Sequence, residues 1–123
     1  MREALAIGAA SLVALWGVAH AIPTRAVVAG FGPISIDNRR IILQEWLVEA
    51  FAMWGIAALV IGVTVLDADG EATAWVCRGS AAALVAIGVL TAFTGGRTQV
   101  VWFKICTVLL TTTAALLLAA SFL

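Results

Sequence analysis

Apolar residues fill four long segments of the chain, and short polar stretches separate them. Each segment is long enough to cross a membrane, because about 20 apolar residues in a helix cover the hydrocarbon core of a bilayer. The predicted spans lie at about residues 4–22, 40–66, 73–94 and 99–121. Short connectors join them, so the pattern predicts an all-α, antiparallel four-helix transmembrane bundle in a single domain that covers residues 1–123.

The composition is that of an integral membrane protein. Apolar residues make up 63% of the chain and charged residues 11%, and the mean hydropathy is +1.12. A soluble domain carries about a quarter charged residues. The net charge is zero and the basic residues are scattered, which argues against nucleic-acid binding. Cys77 and Cys106 lack metal-ligand spacing, and their predicted positions in opposite leaflets argue against a disulfide. We therefore expect a lipid bilayer as partner, with no nucleic acid, metal or cofactor.

The first segment and the connector after it leave alternatives open. An A-x-A motif around His20 matches a signal-peptide cleavage site, but we interpret the segment as the first span, ended by Pro23. The connector at residues 23–36 holds two prolines and two glycines, which predicts an irregular loop. That loop is either a tether at the membrane surface or a lid over the bundle. Ser35 or Asp37 is expected to cap the second helix.

Two carboxylates inside the second span are the best functional clue in the sequence. Glu45 and Glu49 are four residues apart, so they share one face of the helix. Ionisable groups within a span are costly and usually face a bundle interior, a cavity or a partner. Glu49 lies about one turn deeper than Glu45. A structural pair with His20 or with Lys104 is the alternative to a chemical role.

Other polar side chains are predicted at the same depth as the two glutamates. His20 ends the first span and Lys104 begins the fourth, so a bundle packed in sequence order brings them to one pocket. We predict Glu45, Glu49 and His20 as catalytic residues. The predicted ligand-binding residues are Gln44, Trp46, Trp54, Trp102 and Lys104. Alternatively, Lys104 extends its ammonium group to the headgroups, and the tryptophans anchor the bundle at the membrane surface.

The paired carboxylates favour acid–base chemistry. Burial and a neighbouring carboxylate both favour the protonated form of a carboxyl group, so such a pair can donate and accept protons. Matching reactions are double-bond isomerisation, cyclisation or epoxide opening of a lipophilic molecule. No GxSxG, HExxH or phosphate-binding loop is present. The leading expectation is binding of a small lipophilic molecule in a cytoplasmic-leaflet pocket, with conversion by the glutamates as an added activity.

Three other functions remain open on the sequence. The first is a proton-coupled transporter that uses Glu49 and acts as a homodimer, because four short spans seldom enclose a path alone. Ala58 and Gly62, four residues apart, could supply the small-residue face of such a dimer. The second is a non-catalytic accessory subunit of a membrane complex. The third is a haem protein, in which His20 would be the only possible histidine ligand.

The distribution of basic residues predicts the orientation. One side of the predicted bundle carries four arginines and the other side carries two. The four are Arg25, Arg39, Arg40 and Arg97, and the two are Arg2 and Arg78. Cytoplasmic loops of membrane proteins are enriched in Lys and Arg. The richer side is therefore expected in the cytoplasm, with both termini outside.

Part of the chain resembles a known group of membrane proteins. The run begins with His20-Ala-Ile-Pro-Thr, continues through Gly-Phe-Gly-Pro-Ile-Ser and Asp-Asn-Arg-Arg, and reaches Glu45-Trp46 and Glu49. It resembles a run in small uncharacterised bacterial four-helix membrane proteins, and the four-span layout resembles that of DoxX-like proteins. The motif covers only residues 20–55. The resemblance implies a four-helix bundle in a bacterial cytoplasmic membrane and no particular substrate. A looser likeness is to sterol-isomerase-type membrane proteins, whose pockets pair acidic residues with His and Trp.

Overall fold

The computed structural model of residues 1–123 is all-helical. Five α-helices and one 3₁₀ turn follow one another along the chain, and no β-strand forms. The helices are α1 (Arg2–Ala21), α2 (Thr24–Gly30), α3 (Ile36–Leu66), α4 (Glu71–Phe93) and α5 (Val101–Phe122), and the 3₁₀ turn covers Gly95–Arg97.

Four of the five helices, α1, α3, α4 and α5, are long and apolar enough to cross a membrane. They occupy the four predicted segments, which confirms the prediction of four long apolar helices. Helix α3 begins at Ile36, a few residues before the predicted span at about 40–66 and next to the expected cap residues Ser35 and Asp37. Ser35 caps this helix, because its Oγ accepts a hydrogen bond from the backbone N–H of Asn38 at 3.1 Å. Asp37, the other predicted cap, instead forms an ion pair with Arg40 at 3.7 Å.

The connector between the first two long helices contains a short helix that the sequence analysis did not predict. Helix α2 follows Pro23 directly and contacts α3. Proline is tolerated at the start of a helix, because the first N–H groups have no partner within the helix. After α2 the chain turns at Gly32, whose φ of 68° is in the left-handed region that favours glycine. The expectation of an irregular loop is therefore wrong for residues 24–30, since the two prolines lie outside them.

The four long helices contact one another in the cyclic order α1, α3, α4 and α5, and α5 returns to α1. Contact is most extensive between α4 and α5, which the 3₁₀ turn joins, and least extensive between α3 and α4. Each helix contributes one large, fully buried side chain to the centre of the core. These side chains are Val13, Met53, Leu84 and Leu110. The core runs from the middle of the helices toward the start of α1 and the end of α5, and it contacts all four long helices.

Much of the outer surface is apolar. Leu59 of α3, Leu90 of α4 and Val108 of α5 keep between 61% and 65% of their surface exposed. Apolar surface on this scale usually marks contact with another apolar phase or with a partner. Cys77 and Cys106 are both buried and free.

Candidate functional site

His20 and Trp46 join the end of α1 to the first third of α3. Their rings are stacked, with centroids 4.0 Å apart and planes inclined by 18°. His20 Nε2 donates a hydrogen bond to the Trp46 carbonyl at 3.1 Å, and Trp46 Nε1 donates to the His20 carbonyl at 3.1 Å. A carbonyl can only accept, so Nε2 is the nitrogen that carries the proton. The two residues thus exchange a pair of hydrogen bonds, and only 8% of the surface of His20 remains exposed.

The carboxylate of Glu49, one turn along α3 from Trp46, reaches the same histidine ring. Glu49 Oε2 lies 3.5 Å from His20 Nε2, and 30% of the Glu49 side chain is exposed. The sequence left His20 and Lys104 as alternative partners, and the structure brings only His20 beside Glu49. Lys104 is exposed and borders a separate depression with Leu12. That position fits the alternative in which the lysine extends outward from the helix.

A cavity of about 740 Å³ opens beside the His20 and Glu49 side chains. Twenty residues line it, 13 of them hydrophobic, and they come from all five helices and the 3₁₀ turn. Its lining residues with carboxyl, imidazole, hydroxyl or thiol groups are His20, Glu45, Glu49, Thr91, Thr94 and Cys106. Pockets for drug-sized molecules commonly enclose about 300–1,000 Å³ and combine an apolar lining with a few polar groups.

The cavity occupies the space in which α3 and α4 separate. Near their connecting turn the two helices are tied together, because Thr73 Oγ1 donates a hydrogen bond to the Val63 carbonyl at 3.1 Å. Further from that turn, Ala52 of α3 and Leu90 of α4 line the cavity. Val48 and Leu90 expose 49% and 65% of their surface, so the cavity is open at its wall.

Two further tryptophans, Trp16 on α1 and Trp54 on α3, connect neighbouring helices through their indole N–H groups. Trp16 Nε1 donates to Cys106 Sγ at 3.2 Å, which links α1 to α5 at the cavity lining. Trp54 Nε1 donates to the Ala14 carbonyl at 3.2 Å. A Cβ atom on Gly17 would lie 2.7 Å from Trp54 Nε1, so only glycine allows this close approach.

The structure brings several of the predicted site residues to this cavity. Besides His20 and Glu49, the cavity is lined by Glu45, Trp46 and Trp102. Glu45 is exposed, and Trp102 exposes 64% of its surface, so both lie where the cavity meets the exterior. Their roles in binding or catalysis stay predictions.

The other three predicted ligand-binding residues do not line the cavity. Gln44 is exposed, and its Nε2 donates to Glu45 Oε1 at 3.5 Å. Trp54 packs between α1 and α3, and Lys104 lies on the outer face of α5. Gln44 can therefore act on the cavity only through Glu45.

Of the 20 lining residues, the sequence analysis selected five, and five of the other 15 carry an aromatic ring, a hydroxyl or a thiol. They are Trp16, Thr91, Thr94, Phe103 and Cys106. Four of them form two pairs, Thr91 with Thr94 and Phe103 with Cys106, and within each pair the residues are three positions apart. Only the second pair lies wholly within a helix, because Thr94 directly follows the end of α4. Residues at this spacing share a helix face, so the spacing was a usable signal. The depth comparison alone did not reveal which face of each helix points inward.

The arrangement offers little to a metal. No group of three His, Cys, Asp or Glu side chains could hold a metal ion. His20 Nε2 is engaged by the Trp46 carbonyl, so this nitrogen is not free to ligate a haem iron.

No family model matches the sequence, and comparisons with curated proteins and with solved structures give no significant match. The likeness to DoxX-like proteins therefore stays a prediction from residues 20–55 and the four-span layout.

Proposed function

We propose that α1, α3, α4 and α5 cross a bacterial cytoplasmic membrane as an antiparallel bundle. Their length and hydropathy support this, as do the exposed apolar side chains. The contacts between α1 and α3 support opposite directions, because His20 meets Trp46 while Arg2 donates to the Ala68 carbonyl. The excess of arginines near the cavity end supports its location in the cytoplasmic leaflet, with both termini outside.

We propose that this membrane protein binds a small lipophilic molecule in the cavity beside His20 and Glu49. The observation that carries the proposal is the cavity itself, with its volume of about 740 Å³ and its mainly hydrophobic lining. Polar groups gathered on one side of an apolar pocket orient a ligand, while the apolar walls bind its body. The opening beside Val48 and Leu90 faces the hydrocarbon in the proposed bundle, so a lipophilic molecule could enter from the bilayer.

Binding fits the packing better than transport does. Beyond the cavity, the centre of the bundle is filled by fully buried side chains from all four long helices. Protein interiors of this kind are close-packed. A single chain that carried a molecule across the membrane would have to displace these side chains, whereas a binding pocket needs no such movement.

Acid–base conversion of the bound molecule is the second candidate function. The distance of 3.5 Å between Glu49 Oε2 and His20 Nε2 at the cavity wall favours it. Histidine and glutamate side chains are both groups that accept or donate protons in general acid–base catalysis. Glu45 adds a second carboxylate at the opening. Double-bond isomerisation, cyclisation and epoxide opening are reactions that such a pair can catalyse.

Native mass spectrometry of the purified protein tests the binding function. We expect wild type to carry a lipophilic molecule that Ala52→Phe excludes, because Ala52 lines the cavity and phenylalanine would fill it. Ala82→Phe is the matched control, since Ala82 is exposed on α4 and does not line the cavity. Glu49→Gln tests the polar wall, and we expect it to weaken retention.

Three outcomes contradict the proposal or change it. Equal occupancy in Ala52→Phe and wild type would show that the molecule binds at another surface and not in the cavity. A dimer without ligand would favour the transporter, and a monomer without ligand would favour the accessory subunit. For conversion, wild type must release a chemically changed molecule that Glu49→Gln releases unchanged, and release of the unchanged molecule by both proteins indicates binding alone.

A further inference from the structure

We propose that the ligand of this cavity is a lipophilic cation: an apolar body with one positively charged group, such as a protonated amine or a quaternary ammonium. This inference rests on the proposed binding function and specifies the class of molecule. The charges, hydrogen bonds and rings of the lining residues carry it.

The charged residues of the lining have one sign. Glu45 and Glu49 both line the cavity, and no lysine or arginine does. Two carboxyl groups thus stand against one imidazole, and the acidic side chains of the wall outnumber the basic ones. The C-terminus of α4 and the N-terminus of α5 both reach the cavity, so their opposite partial charges offset each other.

The basic residues of this end are all exposed and none lines the cavity; they are Arg25, Arg39, Arg40, Arg97 and Lys104. The Arg97 guanidinium lies over the Phe93 ring, 5.2 Å from its centroid. Lys104 borders the depression beside Leu12, and the Arg40 guanidinium is paired with Asp37. None of these groups lines the cavity, so none compensates its carboxylates there.

The side-chain hydrogen-bond donors of the wall are nearly all engaged within the protein. Trp16 Nε1 donates to Cys106, Trp46 Nε1 to the His20 carbonyl and His20 Nε2 to the Trp46 carbonyl. The hydroxyls of Thr91 and Thr94 donate to backbone carbonyls of α4, those of Ile87 and Leu90. Among the side-chain N–H and O–H donors of the lining, only the indole N–H of Trp102 has no partner.

The hydrogen-bond acceptors of the same wall remain available. Each carboxylate offers two oxygens, and Glu49 is in contact with His20 through only one of them. The threonine hydroxyls, having donated their protons, keep free lone pairs. Lining side chains that offer many acceptors and few free donors suit a ligand that donates hydrogen bonds or carries positive charge.

Aromatic rings add a second attraction for a cation. Trp46, Trp102 and Phe103 line the cavity together with the two glutamates. The face of an aromatic ring attracts a cation through its quadrupole, and tryptophan does so most strongly. Trp102 keeps 64% of its surface exposed, so its ring is accessible to a bound molecule.

A pair of probes with the same shape and opposite charge tests the inference. Tetraphenylphosphonium and tetraphenylborate are added to the protein in phosphatidylcholine nanodiscs, with empty nanodiscs as the background. Triphenylphosphine oxide serves as the neutral probe. We expect the cation to bind at least about tenfold more tightly than the other two probes, because it meets carboxylates and ring faces without losing hydrogen bonds.

Variants identify the source of that preference. Glu49→Gln and Glu45→Gln are each expected to weaken the cation about tenfold and to leave the neutral probe unchanged. Glu3→Gln is the matched control, since Glu3 is exposed near the start of α1 and does not line the cavity. Circular dichroism and size-exclusion profiles equal to wild type establish that a variant is folded.

The remaining outcomes separate the two proposals. If all three probes bind equally, or the anion binds best, the cation inference is overturned while binding of lipophilic molecules stands. If the cation preference is the same in Glu49→Gln, Glu45→Gln and wild type, the carboxylates do not cause it and the inference also falls. If no probe binds, the inference is overturned, and the native mass spectra decide separately whether the cavity binds another molecule.

Discussion

The two ends of the helical assembly are built differently. At the packed end, defined by Ala6, Ala10, Thr73, Arg78 and Leu117, α1 presents fully buried alanines to its neighbours. Small residues let helix backbones approach closely. At the cavity end, defined by His20, Trp46, Glu49, Thr91 and Phe103, large rings lie between the helices and leave a cavity of about 740 Å³. The size of the side chains along α1 therefore changes in parallel with helix separation.

Polar groups are also used differently at the two ends. At the packed end, Arg78 donates to both the hydroxyl and the carbonyl of Ser121, and Thr73 Oγ1 donates to the carbonyls of Val63 and Asp67. Arg2 Nε and Thr64 Oγ1 are the buried exceptions without a partner. At the cavity end, carboxylate oxygens remain available to a ligand. Polar side chains at the packed end thus form hydrogen bonds that join helices, whereas at the cavity end some polar groups have no protein partner.

The largest expected effect comes from opening a void at the packed end. Leu117 is fully buried, so Leu117→Ala should destabilise the protein by about 2–5 kcal/mol through lost contacts and a new cavity. Leu118→Ala is the control, because its neighbour Leu118 is 39% exposed. Thermal unfolding in nanodiscs compares the two variants. Equal losses of stability in the two variants would show that the buried position of Leu117 contributes no more than the partly exposed position of Leu118.

The second effect concerns the arginine that joins α4 to the end of α5. Arg78→Ala removes two hydrogen bonds to Ser121 and the stacking of the guanidinium 4.9 Å from the Phe122 centroid. Hydrogen bonds to charged groups contribute about 1.5–3 kcal/mol, so unfolding should become easier by about 2 kcal/mol. Arg78→Lys should recover only part of this, since lysine lacks the guanidinium fork. Full recovery by lysine would assign the effect to charge alone.

The third prediction is that two glycine-to-alanine substitutions in α1 change stability in opposite directions. Gly17→Ala places a Cβ atom 2.7 Å from Trp54 Nε1 and should destabilise by about 1–3 kcal/mol. Gly8→Ala on the same helix meets nothing within 4 Å and should stabilise by up to about 1 kcal/mol through helix propensity. The two melting temperatures should move in opposite directions. Stabilisation by both substitutions would mean that Trp54 moves aside at little cost.

The smallest effect is expected on the outer face of α5. Lys104 is exposed and contacts neither glutamate, so Lys104→Ala should change stability by less than about 0.5 kcal/mol. Affinity for the cationic probe should also stay unchanged. A loss of stability comparable to that of Arg78→Ala would instead support an ion pair between Lys104 and Glu49.

Much of the helical structure was readable from the sequence, because hydropathy and length leave few alternatives for segments of this kind. Helix α2 was not predicted, since its flanking prolines were read as breaking the whole connector. Pro23 precedes the helix, where proline is compatible with a helix start. The position of a proline relative to the helix end therefore mattered more than its presence.

The sequence indicated how far along each helix the candidate site residues lie, but not which side of the helix faces inward. His20, Glu49 and Lys104 lie at comparable depths, and the structure brings only the first two together. Phe103 lines the cavity and Lys104, the next residue, does not. Neighbouring positions on a helix differ by about 100° in direction, so one position decides whether a side chain faces inward. Without contacts to neighbouring helices, nothing in this apolar sequence fixes that rotation.

The paired hydrogen bonds between His20 and Trp46 have a consequence for helix register. In the proposed bilayer, two apolar helices can slide along each other with little change in hydrophobic energy, because lipid and side chains are equally apolar. The two bonds of 3.1 Å run in opposite directions between the same two residues. A shift of one turn, about 5.4 Å, would break both at once. The two hydrogen bonds together therefore favour a single register of α1 against α3.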